Sequence, residues 1–474
     1  MLTRFSKNIE AHSNRILEVT GHLFFLGFIL WAAIFFRERL LNNDAGYYTW
    51  HLVNHLEPFI KHERYINYLT MYPPAMAARL GASLKTTLII YSSIFGLIYY
   101  IYFLIATYRW KNLKGGIFIA LALILTMRTK HYAGHTEVTM AIGQLGLLWA
   151  WITSVKNQGS EKSKYYWPII AVILAMMLLT HPVIVVPLMM LLGYKMIDQS
   201  EWKSKSSWTL IILSAILFAI KIFSATSYET DKASSLGSAV EVFTQSEKFY
   251  VFHIVKRFFE KDLHLPTAFF LVAVFLLFRK KKHWSALYVV FCSVVMLAMV
   301  IVSHSYLKSD IYIMIDGYMG MLGVIFAVVI VQVFLRAKQV AFGLPLVLVL
   351  IAYSSDRIIS RGDFFTERLG YYTQTFEMYP ENDKLFVPMS LHDWEKLYYP
   401  YEIPGESLIL TCMEGKEKCK TLYVDYERRG EDLYLNSEKS FLFFNNQVPL
   451  ENINTNFFTL PEEPYLAIDK VAWR

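Results

Sequence analysis

Long apolar runs separated by short polar connections fill the first 354 residues of the sequence. Each run is too long for a strand and predicts an apolar helix, although several fall short of the ~20 residues that a straight membrane span needs. The runs cover residues 16–36, 86–107, 115–127, 138–155, 166–180, 182–194, 208–223, 266–279, 284–303, 318–335 and 340–354. We therefore predict an all-α polytopic membrane domain over residues 1–355, with about eleven transmembrane helices. Thr180-His181-Pro182 marks either two spans meeting at a polar break or one kinked or re-entrant element.

Basic residues predict the orientation, because cytoplasmic connections of membrane proteins are enriched in Lys and Arg. With eleven spans, six basic clusters fall on one side, which we assign to the cytoplasm together with the N-terminus; the C-terminus is then outside. The clusters are Arg4, Lys7 and Arg15; Arg109, Lys111 and Lys114; Lys156, Lys162 and Lys164; Lys195, Lys203 and Lys205; residues 279–282; and Arg336 and Lys338. The first apolar run has no small-x-small cleavage site before Arg37, which predicts a retained signal-anchor helix.

The opposite side receives the loop 37–85, where residues 47–68 have the apolar spacing of an amphipathic helix lying on the membrane surface. It also receives residues 356–474, which alternate short apolar runs with Pro, Asn, Asp and Gly. This segment predicts a small extracytoplasmic domain of α+β or β-rich structure. Cys412 and Cys419 lie in it, seven residues apart. A disulfide between them is one interpretation, suited to an oxidising compartment, and two unpaired thiols are the other.

Composition narrows the class of protein. Hydrophobic residues make up 55 % and charged residues only 18 % of the chain, whereas soluble domains carry about 25 % charged residues. These values exclude a disordered chain and an ordinary cytosolic enzyme. The net charge of +7 lies in clusters between apolar runs, a pattern typical of membrane topology, and we expect no nucleic-acid partner. The sequence contains no Walker, G-x-S-x-G or H-E-x-x-H motif, so any chemistry is expected at the outer face.

Polar residues gather at the predicted outer ends of the spans, where they are costly unless they serve a function. Asp44 opens the first outer loop, within Asn42-Asn43-Asp44-Ala45-Gly46-Tyr47-Tyr48. The short connection 128–137 predicts an anion site, most simply for phosphate, or else a positive loop near lipid headgroups. His181 is a further candidate, although a histidine before proline at a helix end is more often a cap. The cationic candidates are Arg128, Lys130, His131, His135, His181 and Lys308.

This layout resembles the GT-C superfamily of membrane glycosyltransferases, which use polyprenyl-phosphate-linked sugars. The resemblance lies in the N-in first helix, the early carboxylate Asp44, the surface helix, the many spans and the outer C-terminal domain. Residues 134–148 are also similar to the outer loop and small-residue helix of bacterial mannosyltransferase-like members. Two features depart from the family pattern: Asn42 occupies the place of a second acidic residue, and His181 replaces a lysine common before the proline.

The resemblance implies an inverting transfer of a sugar to an acceptor hydroxyl, with Asp44 as general base and the cationic candidates as ligands of the donor phosphate. The acceptor is a glycan, a lipid or a protein. Substrate contacts are expected from Tyr47, Tyr48, Glu137 and Asp310, although the tyrosines also suit a purely interfacial role. No cofactor is certain; a divalent cation, Mg or Mn, is an open alternative, held by Asp44 with Glu137 or Asp310.

Two other functions remain open from the sequence. One is a transporter or flippase of a lipid-linked substrate, although no internal repeat is visible and Lys221 is the one notable charge within a span. The other is a non-catalytic scaffold of a surface-assembly complex. The expected location is the bacterial inner membrane with the C-terminal domain in the periplasm, in biosynthesis of cell-envelope glycans.

Overall fold

The computed structural model describes most of the chain as helix. The described residues are 2–125, 127–134, 137–154, 164–223, 244–245, 250–304, 312–335, 340–393, 396–397, 400–426, 437–444 and 446–473. Their α-helices are α1 (Leu2–Ile34), α2 (Phe36–Leu40), α3 (Asn43–His55), α4 (Asn67–Arg79), α5 (Leu84–Leu104), α6 (Leu113–Ile124), α7 (Glu137–Ile152), α8 (Tyr166–Leu178), α9 (Val185–Asp198), α10 (Lys205–Phe223), α11 (Tyr250–Arg257), α12 (His264–Arg279), α13 (His283–Ser303), α14 (Tyr312–Phe334), α15 (Val340–Met378) and α16 (Ile403–Cys412).

Within the described residues, six helices are long and apolar enough to cross a membrane. They are Glu10–Ile34, Leu84–Arg109, Lys205–Phe223, His283–Ser303, Ile315–Phe334 and Val340–Met378. A seventh is obtained if Val251–Asp262 and His264–Arg279, which meet at 81°, form one broken span. Each of the eleven predicted apolar runs contains a helix within its described residues, but α6 has only 12 residues and would cover about 18 Å of a hydrocarbon core about 30 Å thick.

The short helices α6 and α7 occupy the centre of the bundle. Every residue of α6 from Gly115 to Ile124 is buried, as is α7 from Thr139 to Ile152. Both helices contact α14, which is itself mostly buried within the bundle. These helices are apolar around their whole circumference, and neighbouring helices bury them instead of lipid.

Side-chain and backbone contacts join the helix connections into two separate groups. One group links the ends that the sequence assigns to the cytoplasm: Asn112 with Thr153 (3.0 Å), Tyr166 with Ser206 (3.5 Å) and Lys282 with Asp198 (2.6 Å). The other links the ends assigned to the outside: Lys221 with Glu63 (3.2 Å), the Ile66 amide with the Leu179 carbonyl (3.2 Å) and Arg128 with Asp262 (2.8 Å). These contacts thus fall at two separate ends of the helices that they join.

The segment predicted as one surface helix over residues 47–68 is instead broken. Helix α3 ends at His55, where Leu56 adopts a left-handed conformation with φ of 54°, and Pro58 follows. A second helix, α4, carries the exposed apolar side chains Tyr68, Leu69 and Tyr72 on one face. Exposed Tyr65 lies before this helix, and exposed Leu80 is its C-cap residue. Since Ser83 caps the candidate span α5 soon afterwards, α4 lies beside the start of a span.

Helix α15 continues past the predicted domain boundary at residue 355. Its 39 residues run to Met378, and buried positions recur along it with helical spacing into the polar second half, as at Arg357, Phe365 and Tyr372. The apolar signal ends near residue 354 because charged residues enter the sequence there, not because the helix stops. The strands begin only at Lys384.

The C-terminal region after α15 is an α+β unit. The strands are β1 (Lys384–Val387), β2 (Thr421–Val424), β3 (Ser440–Phe443), β4 (Asn446–Pro449) and β5 (Leu466–Ala467). A parallel sheet has the order β2-β1-β5, and β3 and β4 form an antiparallel pair. Helix α16 packs on β2 and also on α3 of the first loop, and a disulfide joins Cys412 at its end to Cys419.

Candidate functional site

Asp44 lies in the first turn of α3 and is exposed. A carboxylate is favoured there by the unpaired amides and dipole of the helix N-terminus. The elbow before it is fixed, because Asn42 donates hydrogen bonds to the carbonyls of Glu38 and Tyr132. Buried Arg39 adds bonds to the His131 carbonyl and, at 2.9 Å, to Ser92 Oγ. The backbone that carries Asp44 is thus tied to the 128–137 connection.

Two carboxyl groups of the C-terminal region lie near the start of α3, which carries Asp44. Glu402 precedes α16 and Glu406 lies in its first turn, and both are buried. The close approach of α3 depends on Gly46, where an added Cβ would lie 2.7 Å from Glu406 Cγ. Burial, together with the charges of Asp44 and Glu406, raises the pKa of Glu402 well above its ordinary value.

Glu406 is held by a buried ion pair. Its Oε2 accepts from Arg368 Nη1 of α15 at 2.6 Å and from the Tyr372 hydroxyl at 2.7 Å. The two charged side chains are 1 % and 0 % exposed. By contrast, neither carboxyl oxygen of Glu402 has a hydrogen-bond partner among the residues that the structure describes. Glu406 therefore fixes α16 to α15, while Glu402 is left with its full bonding capacity beside Asp44.

Aromatic rings surround the same place. The half-buried Tyr47 ring lies 4.9 Å from Phe444, and Lys61 Nζ sits 4.7 Å above it. His51, one turn further along α3, stacks on Phe59 at 4.1 Å. Burial, His55 and Lys61 lower the pKa of His51 to about 4, so this ring is neutral at physiological pH. The wall beside Asp44 is thus aromatic, with Lys61 as its nearby cation.

The predicted contacts Tyr48 and Glu137 are brought together. The Tyr48 hydroxyl donates to Glu137 Oε1 at 3.2 Å, and Arg64 forms an ion pair with Glu137 Oε2 at 3.2 Å. Burial, with the charge of Glu137 next, raises the pKa of Tyr48. Glu137 is therefore engaged by two protein groups and joins α3 to the start of α7.

The cationic candidates Arg128 and Lys130 lie at the start of α14. Arg128 pairs with buried Asp262 at 2.8 Å, and Asp316 Oδ2 accepts from the Lys130 amide at 2.8 Å. Arg357 of α15 approaches Asp262 at 3.9 Å. Three cationic and two acidic side chains meet here, which leaves an excess of one positive charge. We call these five residues the cationic cluster.

His181 borders the cationic cluster but also caps a helical turn. Its Nδ1 accepts from the Val183 amide at 3.2 Å, which places the proton of the neutral ring on Nε2. Tyr318 lies between His181 and His304, with ring centroids 6.4 and 4.7 Å away. The adjacent Gly317 leaves room for the Lys130 chain.

His131 does not join the other candidates. Its ring is 1 % exposed, packs edge-on against Phe28 at 4.9 Å, and has no hydrogen-bond partner at either nitrogen. Burial and the charge of Arg39 lower the pKa of His131 well below its ordinary value, so it supplies no cation. We therefore omit it from the site. The candidates His135, Lys308 and Asp310 lie outside the described residues.

Within the described part of the chain, no group of three or more His, Cys, Asp or Glu side chains is arranged to hold a metal ion. A cavity of about 690 Å³ does exist, between the α4–α5 turn and the C-terminal region. It is lined by Arg79, Lys85 and Lys416 among others, and none of the predicted site residues borders it.

Sequence reasoning missed the residues that the C-terminal region and α15 supply. Glu402 and Glu406 have the i, i+4 spacing of one helix face, and Pro404 between them marks a helix start. That signal predicts a helix but not its neighbour α3. Arg357 and Arg368 were signalled only by charges just after an apolar run. Comparison with protein-family models, curated proteins and solved structures finds no match to this chain.

Proposed function

We propose that this protein is a membrane glycosyltransferase that moves a sugar from a polyprenyl-phosphate donor to an acceptor at the extracytoplasmic face. The observation that carries the proposal is the exposed Asp44 carboxylate, held at a rigid helix start at the same end of the bundle as the cationic cluster. A base and a phosphate-binding group at one end are what this transfer requires.

Asp44 acts as the general base. It removes the proton of an acceptor hydroxyl while the acceptor oxygen attacks the anomeric carbon from one side. The bond from this carbon to the phosphate oxygen breaks on the other side, and its electron pair leaves with the lipid phosphate. A single attack of this kind inverts the anomeric configuration. The aromatic wall around Tyr47 supplies an apolar surface for a sugar ring.

The leaving phosphate needs cations and no acid, because it departs as a stable anion. The cationic cluster supplies them, and the Nε2–H of the neutral His181 ring is a further hydrogen-bond donor. Asp262 and Asp316 hold Arg128 and the Lys130 backbone in place, so little reorganisation is needed when charge develops on the phosphate.

The eleven-span topology belongs to the same proposal. The two separate groups of contacts between helix ends support alternating direction for the segments that they join. The basic clusters of the sequence then lie on one side, with the N-terminus in the cytoplasm and the C-terminal region outside, as in a bacterial inner membrane.

The test is a transfer assay with the purified protein in lipid. A panel of radiolabelled polyprenyl-phosphate sugars is offered with an envelope extract as acceptor. Asp44→Asn is expected to lower the transfer rate by about 10²–10⁴-fold, while Asp363→Asn, an exposed carboxylate on α15, leaves it unchanged. Retention of more than about a tenth of the rate by Asp44→Asn would remove Asp44 from the role of base.

Transport of a lipid-linked substrate is the second candidate, and the buried Asp262 and Asp316 favour it. Buried carboxylates among apolar helices often mark a transport pathway. Vesicles containing the protein distinguish the two functions. A transporter moves the labelled lipid between leaflets and leaves the sugar–phosphate bond intact, whereas a transferase gives a new labelled product.

A further inference from the structure

Glu402 is a buried carboxyl group with unused bonding capacity at the proposed site. It is 1 % exposed, and both of its oxygens lack a partner. A buried polar group without a hydrogen bond destabilises the folded state, so the position of Glu402 calls for an explanation. Its neighbour Glu406, four residues on, is bonded by Arg368 and Tyr372, which shows that the fold can satisfy a carboxylate here.

We infer, resting on the proposed function, that Glu402 positions a carbohydrate acceptor with two adjacent hydroxyl groups. One hydroxyl is presented to Asp44, and Glu402 bonds the neighbouring hydroxyl. The C-terminal region thereby forms one wall of the acceptor site, and the Tyr47 ring forms another. This narrows the acceptor from glycan, lipid or protein to a sugar.

The chemistry of Asp44 and Glu402 suits this division of roles. Burial favours the protonated form of Glu402, which can donate one hydrogen bond while its other oxygen accepts one. Exposed Asp44 accepts the proton of the attacking hydroxyl. Two carboxyl groups in unlike surroundings commonly take such different roles. The ionisable groups that act on Glu402 or respond to it are Asp44 and Tyr47 of α3, Lys61 of the following loop, Arg368 of α15 and Glu406 of α16.

The experiment measures transfer to octyl glycosides of mannose, glucose, galactose and N-acetylglucosamine. Glu402→Ala is expected to raise the acceptor KM at least ten-fold and to leave the donor KM unchanged. Glu402→Gln, which still donates a hydrogen bond, recovers part of the loss. The Glu402→Gln variant is also expected to lack the fall in activity at high pH that ionisation of Glu402 causes in the wild type. Glu451→Gln, an exposed carboxylate of the same region, serves as the control.

Failure of this inference can be told apart from failure of the proposed function. If the wild type transfers sugar to the extract, and the Glu402 variants match its acceptor KM and pH profile, the positioning role is wrong while the transferase stands. If the wild type transfers nothing, thermal unfolding is measured with the same glycosides. Stabilisation of the wild type but not of Glu402→Ala supports the sugar site, and absence of stabilisation overturns it.

Discussion

The buried pair Arg368–Glu406 is expected to hold the C-terminal region against the membrane domain. The pair joins α15 to α16 at 2.6 Å, with both side chains at most 1 % exposed. Arg368 also donates to the Leu41 carbonyl at 3.2 Å, directly before α3. Arg368→Ala would therefore leave the Glu406 charge buried and would release the α3 elbow.

The cost follows from the burial. Removing one partner of a buried ion pair typically destabilises a protein by about 3–5 kcal/mol. At about 1.4 kcal/mol per factor of ten, the population with an undocked C-terminal region rises by two to nearly four orders of magnitude. Replacing both partners, as Arg368→Met with Glu406→Leu, leaves no unpaired charge and is expected to recover most of this loss.

Thermal unfolding and limited trypsin digestion of the protein in detergent measure the effect. Arg368→Ala should lower the melting temperature and speed cleavage after α15, and the double variant should resemble the wild type. Lys439→Ala removes an exposed pair with Glu462 and should change stability by less than about 1 kcal/mol. Equal stability of Arg368→Ala and Lys439→Ala would refute the docking role.

Two further predictions concern the site. Arg128→Gln should raise the donor KM by roughly ten- to a hundred-fold, since a hydrogen bond to a charged group contributes about 1.5–3 kcal/mol. Arg128→Lys keeps the charge and should raise the donor KM less. An equal donor KM for the two variants would exclude a phosphate role. The pKa of Glu402 is raised in the folded state, so the folded protein keeps a proton that the unfolded chain releases above pH about 4.5. Between that pH and the folded pKa, the free energy of unfolding therefore falls by at most about 1.4 kcal/mol per pH unit. The melting temperature of Glu402→Gln should therefore gain on the wild type as pH rises from 5 to 8, and a constant difference would contradict a protonated Glu402.

The helical segments were predictable because each apolar run exceeds the length of a strand and its neighbours are polar. The break at Leu56 was not predictable, since the apolar spacing of residues 47–68 fits one continuous helix. The residue in the left-handed conformation is also a leucine and not a glycine. Among the described residues, six helices are long and apolar enough to cross a membrane, whereas α6 and α7 are short and buried among other helices. Composition cannot separate burial among helices from burial in lipid, so the sequence does not determine which apolar runs span.

The site was predictable only where its residues lie close in sequence. Asp44, Tyr48 and the 128–137 connection stood out as polar groups at apolar ends. Glu402 lies far along the chain, in a region whose pattern indicates a separate soluble unit. Only packing of α16 on α3 brings the two carboxyl groups together, and packing across such a separation leaves no local signal.

Helix α15 fixes the distance between the two parts of the candidate site. Arg357 belongs to the cationic cluster and Arg368 pairs with Glu406, and both arginines are buried on one uninterrupted helix. Eleven residues are close to three full turns, so the two side chains share a face about 16 Å apart. In the proposed transferase, the spacing between phosphate and acceptor is thus set by backbone hydrogen bonds within one element. A tilt of this helix would carry both substrates together, so their separation would survive motion of the C-terminal region.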